Sequence, residues 1–171
     1  IKCVPTGTPG TTGVQGWSIR QVATDLFAVI GGGVNNPDTG AVSYNALQSI
    51  GSWVATETDV RAPVPTAGVF KNFRVRLASA PGVAKSFQFD LMKNGIATGL
   101  SVTISGNVAT TGEDTTHVIS VVAGDLLSIR ATPTGTPTGG SAKLAISFSP
   151  DVHGESFLMF GGTGNLNTGS T

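Results

Sequence analysis

An antiparallel β-sandwich of jelly-roll type, with about eight strands per repeat unit, is the fold this sequence predicts. Three features point to it: apolar residues alternating with polar ones at period two, turn dipeptides between the alternating runs, and no sustained helical stripe.

Along the chain, the first strong strand signal is Leu26 to Ile30, a near-continuous apolar run of the kind expected where a strand is covered on both faces. Ala46 to Val54 comes closest to a helical pattern, and Gly51 weakens it. In Phe73-Arg74-Val75-Arg76-Leu77 the odd positions are apolar and the even ones cationic, so one face meets a core and the other water. Phe87-Gln88-Phe89-Asp90-Leu91 repeats the pattern, and the two strands are expected to face one another across the interior. Asn94-Gly95 follows, the strongest short hairpin signal, because a type I′ turn needs positive φ at both central residues. The chain returns along Leu100 to Ile104 to a second turn at Gly106-Asn107. Further strands are predicted at Thr116 to Val122, at Leu126 to Ala131 after the Ala123-Gly124-Asp125 turn, at Lys143 to Ser149, and at Phe157 to Phe160.

The two ends of the chain resemble each other. Residues 1–9 match residues 129–137 at six of nine positions, with Lys2 against Arg130 a conservative difference. The stretch from Val22 through Phe27 then reads onto Val152 through Phe157, and Gly31-Gly32 onto Gly161-Gly162. This predicts terminal strands at 1–25 equivalent to the end of a repeat unit, one complete sandwich unit at 26–150, and a strand at 151–171 equivalent to the start of the next unit. The strands expected to join neighbouring units carry Ile1, Val4, Trp17, Ile19, Leu26, Phe27, Val29, Ile30, Phe157, Leu158, Met159 and Phe160. Such overhanging strands suit strand addition to a neighbour's sheet edge, or a tandem array; the remaining reading makes both copies sister strands within a single sandwich, a remnant of internal duplication. The first residue is Ile1, not Met, as expected where a leader has been removed or the chain has been cut from something longer.

Composition sets the surroundings. Ser, Thr and Gly supply 61 of the 171 residues and charged residues only 12%, a neutral polar surface that points to an extracellular, virion or cell-surface location. Ten bases balance ten acids, which removes the basic footprint that nucleic-acid binding needs. The longest apolar stretch, Leu26 to Val34, has nine residues where a membrane span needs about 20. The lone Cys3 has no partner for an internal disulfide.

From Val75 to Phe148 the chain resembles the jelly-roll modules of bacterial and viral surface proteins and is loosely similar to C1q/TNF-like heads. The residues that carry the likeness are Phe87-Gln88-Phe89 leading into Lys93-Asn94-Gly95, then Asp114-Thr115-Thr116-His117, Ala123-Gly124-Asp125-Leu126 and the closing alternating strand. The resemblance spans under half of the chain. It implies an exposed adhesive or structural module and frequent trimerisation.

No enzyme is expected. The two histidines, His117 and His153, stand apart from any nucleophile motif, and Gly31-Gly32-Gly33 lacks the Gly-Lys-Ser/Thr ending of a phosphate cradle. Glu113, Asp114 and Asp125 would hold a cation only if their loops met, and Asp38 is a further oxygen donor; turn chemistry accounts for both segments, so neither a metal nor a cofactor is expected. Lys71, Lys85, Lys93 and Lys143 are the candidates for an isopeptide bond to Asn, with nothing in the sequence to select one. Tyr44 and Trp53 are candidates for a ligand platform against a surface glycan. The expected function is a structural subunit of a fibre, filament or surface appendage that joins copies of itself head to tail. The alternative is a carbohydrate- or receptor-binding sandwich module.

Overall fold

The computed structural model describes residues 27–31, 35–47 and 51–152. The first strands are β1 (Phe27–Gly31), β2 (Ser43–Asn45), β3 (Ala62–Pro63), β4 (Gly68–Leu77) and β5 (Gly82–Lys93). They are followed by β6 (Ile96–Gly106), β7 (Thr111–Asp114), β8 (Ile119–Val121), β9 (Leu126–Thr134) and β10 (Ala142–Pro150). A single turn of 3-10 helix, Glu57–Asp59, precedes β3.

The strands form two antiparallel sheets. One runs β1, β10, β4, with β7 and β8 sharing the far side of β4; in the other β2 and β3 share one side of β9, and β5 and β6 follow. The alternation read in the sequence explains why they stack. Phe70, Phe73, Val75, Leu77, Leu144, Ile146 and Phe148 from the first sheet join Phe87, Phe89, Leu91, Leu100, Val102, Ile104, Leu127 and Ile129 from the second in one buried cluster. Each of these side chains contributes about 1.5–3 kcal/mol relative to exposure in water. The rings of Phe70 and Phe148 lie 4.9 Å apart.

Phe70 and Phe73 both point inward although they are three apart, which a regular period of two forbids. A bulge resolves this: Asn72 takes φ 57°, and the register with β10 shifts between Ala145 and Ser147.

The Asn94-Gly95 turn forms as the sequence predicts, with φ of 53° and 85°. One expectation needs correction. The run Thr116 to Val122 is strand only at Ile119–Val121, because Thr116 and His117 turn back to bond Asp114. In the stretch that comes nearest to a helical pattern, Ala46 to Val54, the described residues hold no helix, and Val54 pairs with Tyr44 by a β-bridge, each donating its amide to the other's carbonyl at 2.7 and 2.9 Å.

The register also fixes which strand ends lie together. Phe27 is opposite Phe148, Pro150 opposite Gly68, and Gly68 opposite Val121, all at the end that carries the Asn94-Gly95 turn. The connections at 78–81, 107–110 and 135–141 gather at the other end, where the Leu77 amide meets the Thr110 carbonyl at 2.8 Å and the Thr138 amide the Pro81 carbonyl at 2.7 Å.

Candidate functional site

β1 is the repeated strand seen from the structural side. Phe27, Val29 and Ile30 belong to it, and among the described residues it pairs with one neighbour, β10, through five consecutive register partners from Phe27↔Phe148 to Gly31↔Leu144. It therefore sits at an edge of the first sheet, in its own subunit. Its sequence counterpart Phe157, Leu158, Met159 and Phe160 lies outside the described residues, as do Ile1, Val4, Trp17, Ile19, Leu26 and Cys3.

The aromatic pair does not form a shared platform. Trp53 packs against the core, its ring centroid 6.0 Å from that of Phe89. Tyr44 lies on the other face of the second sheet, in register with Arg130, which is itself opposite Asp90. That outer face is a polar layer that the sequence did not reveal. Arg130 donates from Nε and Nη2 to Asp90 Oδ2 at 3.1 and 2.9 Å, and Gln88 Nε2 to Asp90 Oδ1 at 2.8 Å. Asp90 is only 3% exposed, so the guanidinium fork is what makes its burial tolerable.

Beside this pair, the 3-10 turn lays Glu57 over the same face. Arg61 Nη2 donates to Glu57 Oε2 at 3.0 Å and Ser128 Oγ to Oε1 at 2.9 Å. The Arg61 bond, opposed by burial and aided by Ser128, holds the Glu57 carboxyl below its ordinary range. The Arg61 guanidinium is covered by the hairpin turn, where a Cβ on Gly95 would lie 2.5 Å from Nη2. Gln88 and Arg130 together occupy both oxygens of Asp90, whereas Arg61 Nε is buried with no hydrogen-bond partner among the described residues.

Asp114 organises the β7–β8 connection. It accepts the backbone amides of Ser101 at 3.0 Å and of Thr116 and His117 at 3.1 Å each, the Thr116 hydroxyl at 3.0 Å, and contacts His117 Nδ1 at 2.8 Å. Burial pushes its carboxyl up, but the amide bonds win and hold it well below the usual carboxylate range. Asp125 is engaged elsewhere, by the Val122 amide at 2.9 Å and by Asn94 and Lys93, so its carboxylate does not join that of Asp114. No cluster of three metal-ligating side chains occurs among the described residues. His153 lies outside them.

No protein-family model matches this chain, and no curated protein does.

Proposed function

We propose that the chain is a structural, non-catalytic sandwich module of an extracellular, virion or cell-surface assembly, joined to copies of itself through the segments that flank the sandwich. The observation that carries this reading is the edge position of β1. The strand whose sequence recurs at Phe157–Phe160 has β10 on one side and, among the described residues, nothing on the other. An edge of that kind takes an added strand by backbone pairing, and an apolar donor gains from leaving water. Phe157–Phe160 of one subunit is the donor and the free edge of β1 in the next is the acceptor.

We also read the two sheets as a jelly roll. Counting β2 with β3 and β7 with β8 as interrupted single strands gives eight, paired first with last, second with seventh, third with sixth and fourth with fifth. That nesting is an antiparallel ribbon wound into two sheets, and it supports the likeness to the jelly-roll modules of surface proteins and C1q/TNF-like heads. The neutral Ser/Thr/Gly-rich surface favours dense packing of identical units, which like charges would oppose.

The test is the molar mass in solution. The intact chain is expected to associate with rising concentration, and the variant carrying Leu158→Asp and Phe160→Asp to remain monomeric with an unchanged melting temperature. A wild-type chain that stays monomeric at every concentration overturns the proposal.

A further inference from the structure

Asn94-Gly95 is the single Asn-Gly step in the sequence, and the fold holds its asparagine amide at both ends. Such a step is chemically labile. The glycine has no Cβ to shield its backbone nitrogen, which can reach the preceding side-chain carbon and displace the amine there. The hairpin favours this pair all the same: Asn94 takes φ 53° and Gly95 φ 85°, and a Cβ at position 95 would press on the Arg61 guanidinium. Against the lability stands a clamp. Asn94 Nδ2 donates to Asp125 Oδ1 at 2.7 Å, Asn94 Oδ1 accepts the Leu126 amide at 2.8 Å, and the Asn94 backbone amide donates to the Leu126 carbonyl at 2.8 Å. The amide carbon is thereby held toward the neighbouring turn, while Asn94 itself is exposed and open to water.

We propose that Asn94 is a self-modification site, kept latent by this clamp and converted when the two turns part. The Gly95 nitrogen then bonds to Asn94 Cγ, the Cγ–Nδ2 bond breaks, and Nδ2 leaves as ammonia, taking the Gly95 amide proton. Water opens the cyclic imide. Addition at Cγ gives aspartate, and addition at the main-chain carbonyl carbon gives isoaspartate; no group is oxidised or reduced, and water is the one co-reactant. Either product replaces the donor Nδ2 by a negative charge beside Asp125, where Lys93 at 3.4 Å already serves one carboxylate. The turns then fail to lock again, so the change runs one way and the hairpin end of the sandwich carries a permanent mark of having opened. The inference stands independently of self-association.

Peptide mass spectrometry tests it, on the full chain held in mildly alkaline buffer with and without denaturant and assayed separately for isoaspartate. In denaturant Asn94 is expected to convert ahead of Asn45, Asn72 and Asn107, each of which is followed by a residue with a Cβ. In the folded chain two side-chain hydrogen bonds must open first, at about fivefold each, so conversion is expected to be about 25-fold slower. Denaturant below the unfolding transition is expected to speed it in step with the open population. Asp125→Ala is expected to raise the folded-state rate about fivefold. Asn94→Asp, the product made directly, is expected to melt below the wild type at neutral pH and to recover most of the difference in acid, where one carboxyl regains a proton to donate. The proposal is overturned if folded and denatured chains convert equally fast, if another asparagine leads in denaturant, or if Asn94→Asp matches the wild type at neutral pH. It is equally overturned if a folded Asp125→Ala converts no faster; should that variant not fold, a wild-type rate that stays flat across the denaturant series has the same force.

Discussion

Asn94 and Asp125 lock two turns to each other at one end of the sandwich. Asn94 Nδ2 donates to Asp125 Oδ1 at 2.7 Å, its Oδ1 accepts the Leu126 amide at 2.8 Å, and Asp125 Oδ2 accepts the Val122 amide at 2.9 Å. Lys93 adds a bond to the Ser120 carbonyl at 3.0 Å and an ion pair to Asp125 at 3.4 Å. The hairpin of β5 and β6 is thereby fixed to the β8–β9 connection, 31 residues away along the chain.

Replacing Asn94 by Ala removes both side-chain bonds and places a poorer residue at positive φ. The expected loss is about 1–2 kcal/mol, read from the midpoint of chemical denaturation. Asn94→Gly keeps the backbone conformation and is expected to recover part of that loss.

At Gly95 two requirements coincide. Its φ is 85°, and a Cβ would press on the Arg61 guanidinium. Gly95→Ala is expected to cost about 1–2 kcal/mol from the backbone alone. With Arg61→Ala in the background the same substitution is expected to cost less, and a double-mutant cycle measures the difference.

Acid should loosen the β7–β8 connection through Asp114. Its folded pKa lies below the unfolded value of about 4, so its contribution to stability is full above that value and is lost as pH falls toward the folded pKa. The melting temperature is expected to fall below about pH 4. Asp114→Asn is expected to melt lower at neutral pH and to show a shallower acid limb. An acid limb equally steep in both proteins would rule out Asp114 as its source.

In the core, Phe148 pairs with Phe70 and packs over Gly68, whose missing Cβ would otherwise fall 2.5 Å from the Phe148 ring. Phe148→Ala is expected to cost about 3–5 kcal/mol, and Gly68→Ala to destabilise through overpacking. Thermal melts of the two variants check both.

The inward faces were legible in the sequence because burial imposes a period of two, as at Phe73-Arg74-Val75-Arg76-Leu77. The Asn94-Gly95 turn was legible because backbone sterics leave few residues able to adopt it. The short strands β2, β3 and β7 left no such trace. Thr111–Asp114 has no apolar residue to alternate, and it is held by pairing with β4 and by a glycine that lets it approach Val102. The polar layer was illegible for another reason: Glu57 meets Ser128 across 71 residues, and Arg76 meets Lys143 through register, which composition does not encode. Tyr44 and Trp53 are close in sequence, yet the pleat divides them between surface and core.

A load applied through Phe27 and Pro150 would act on the same pole of adjacent antiparallel strands. In that geometry the rungs between β1 and β10 bear the pull one after another, as a zipper does, rather than sharing it in shear. Pulled at those two residues, the seam is expected to peel at lower tension than one loaded in shear, and the proposed assembly would then draw its mechanical strength from joints that spare it.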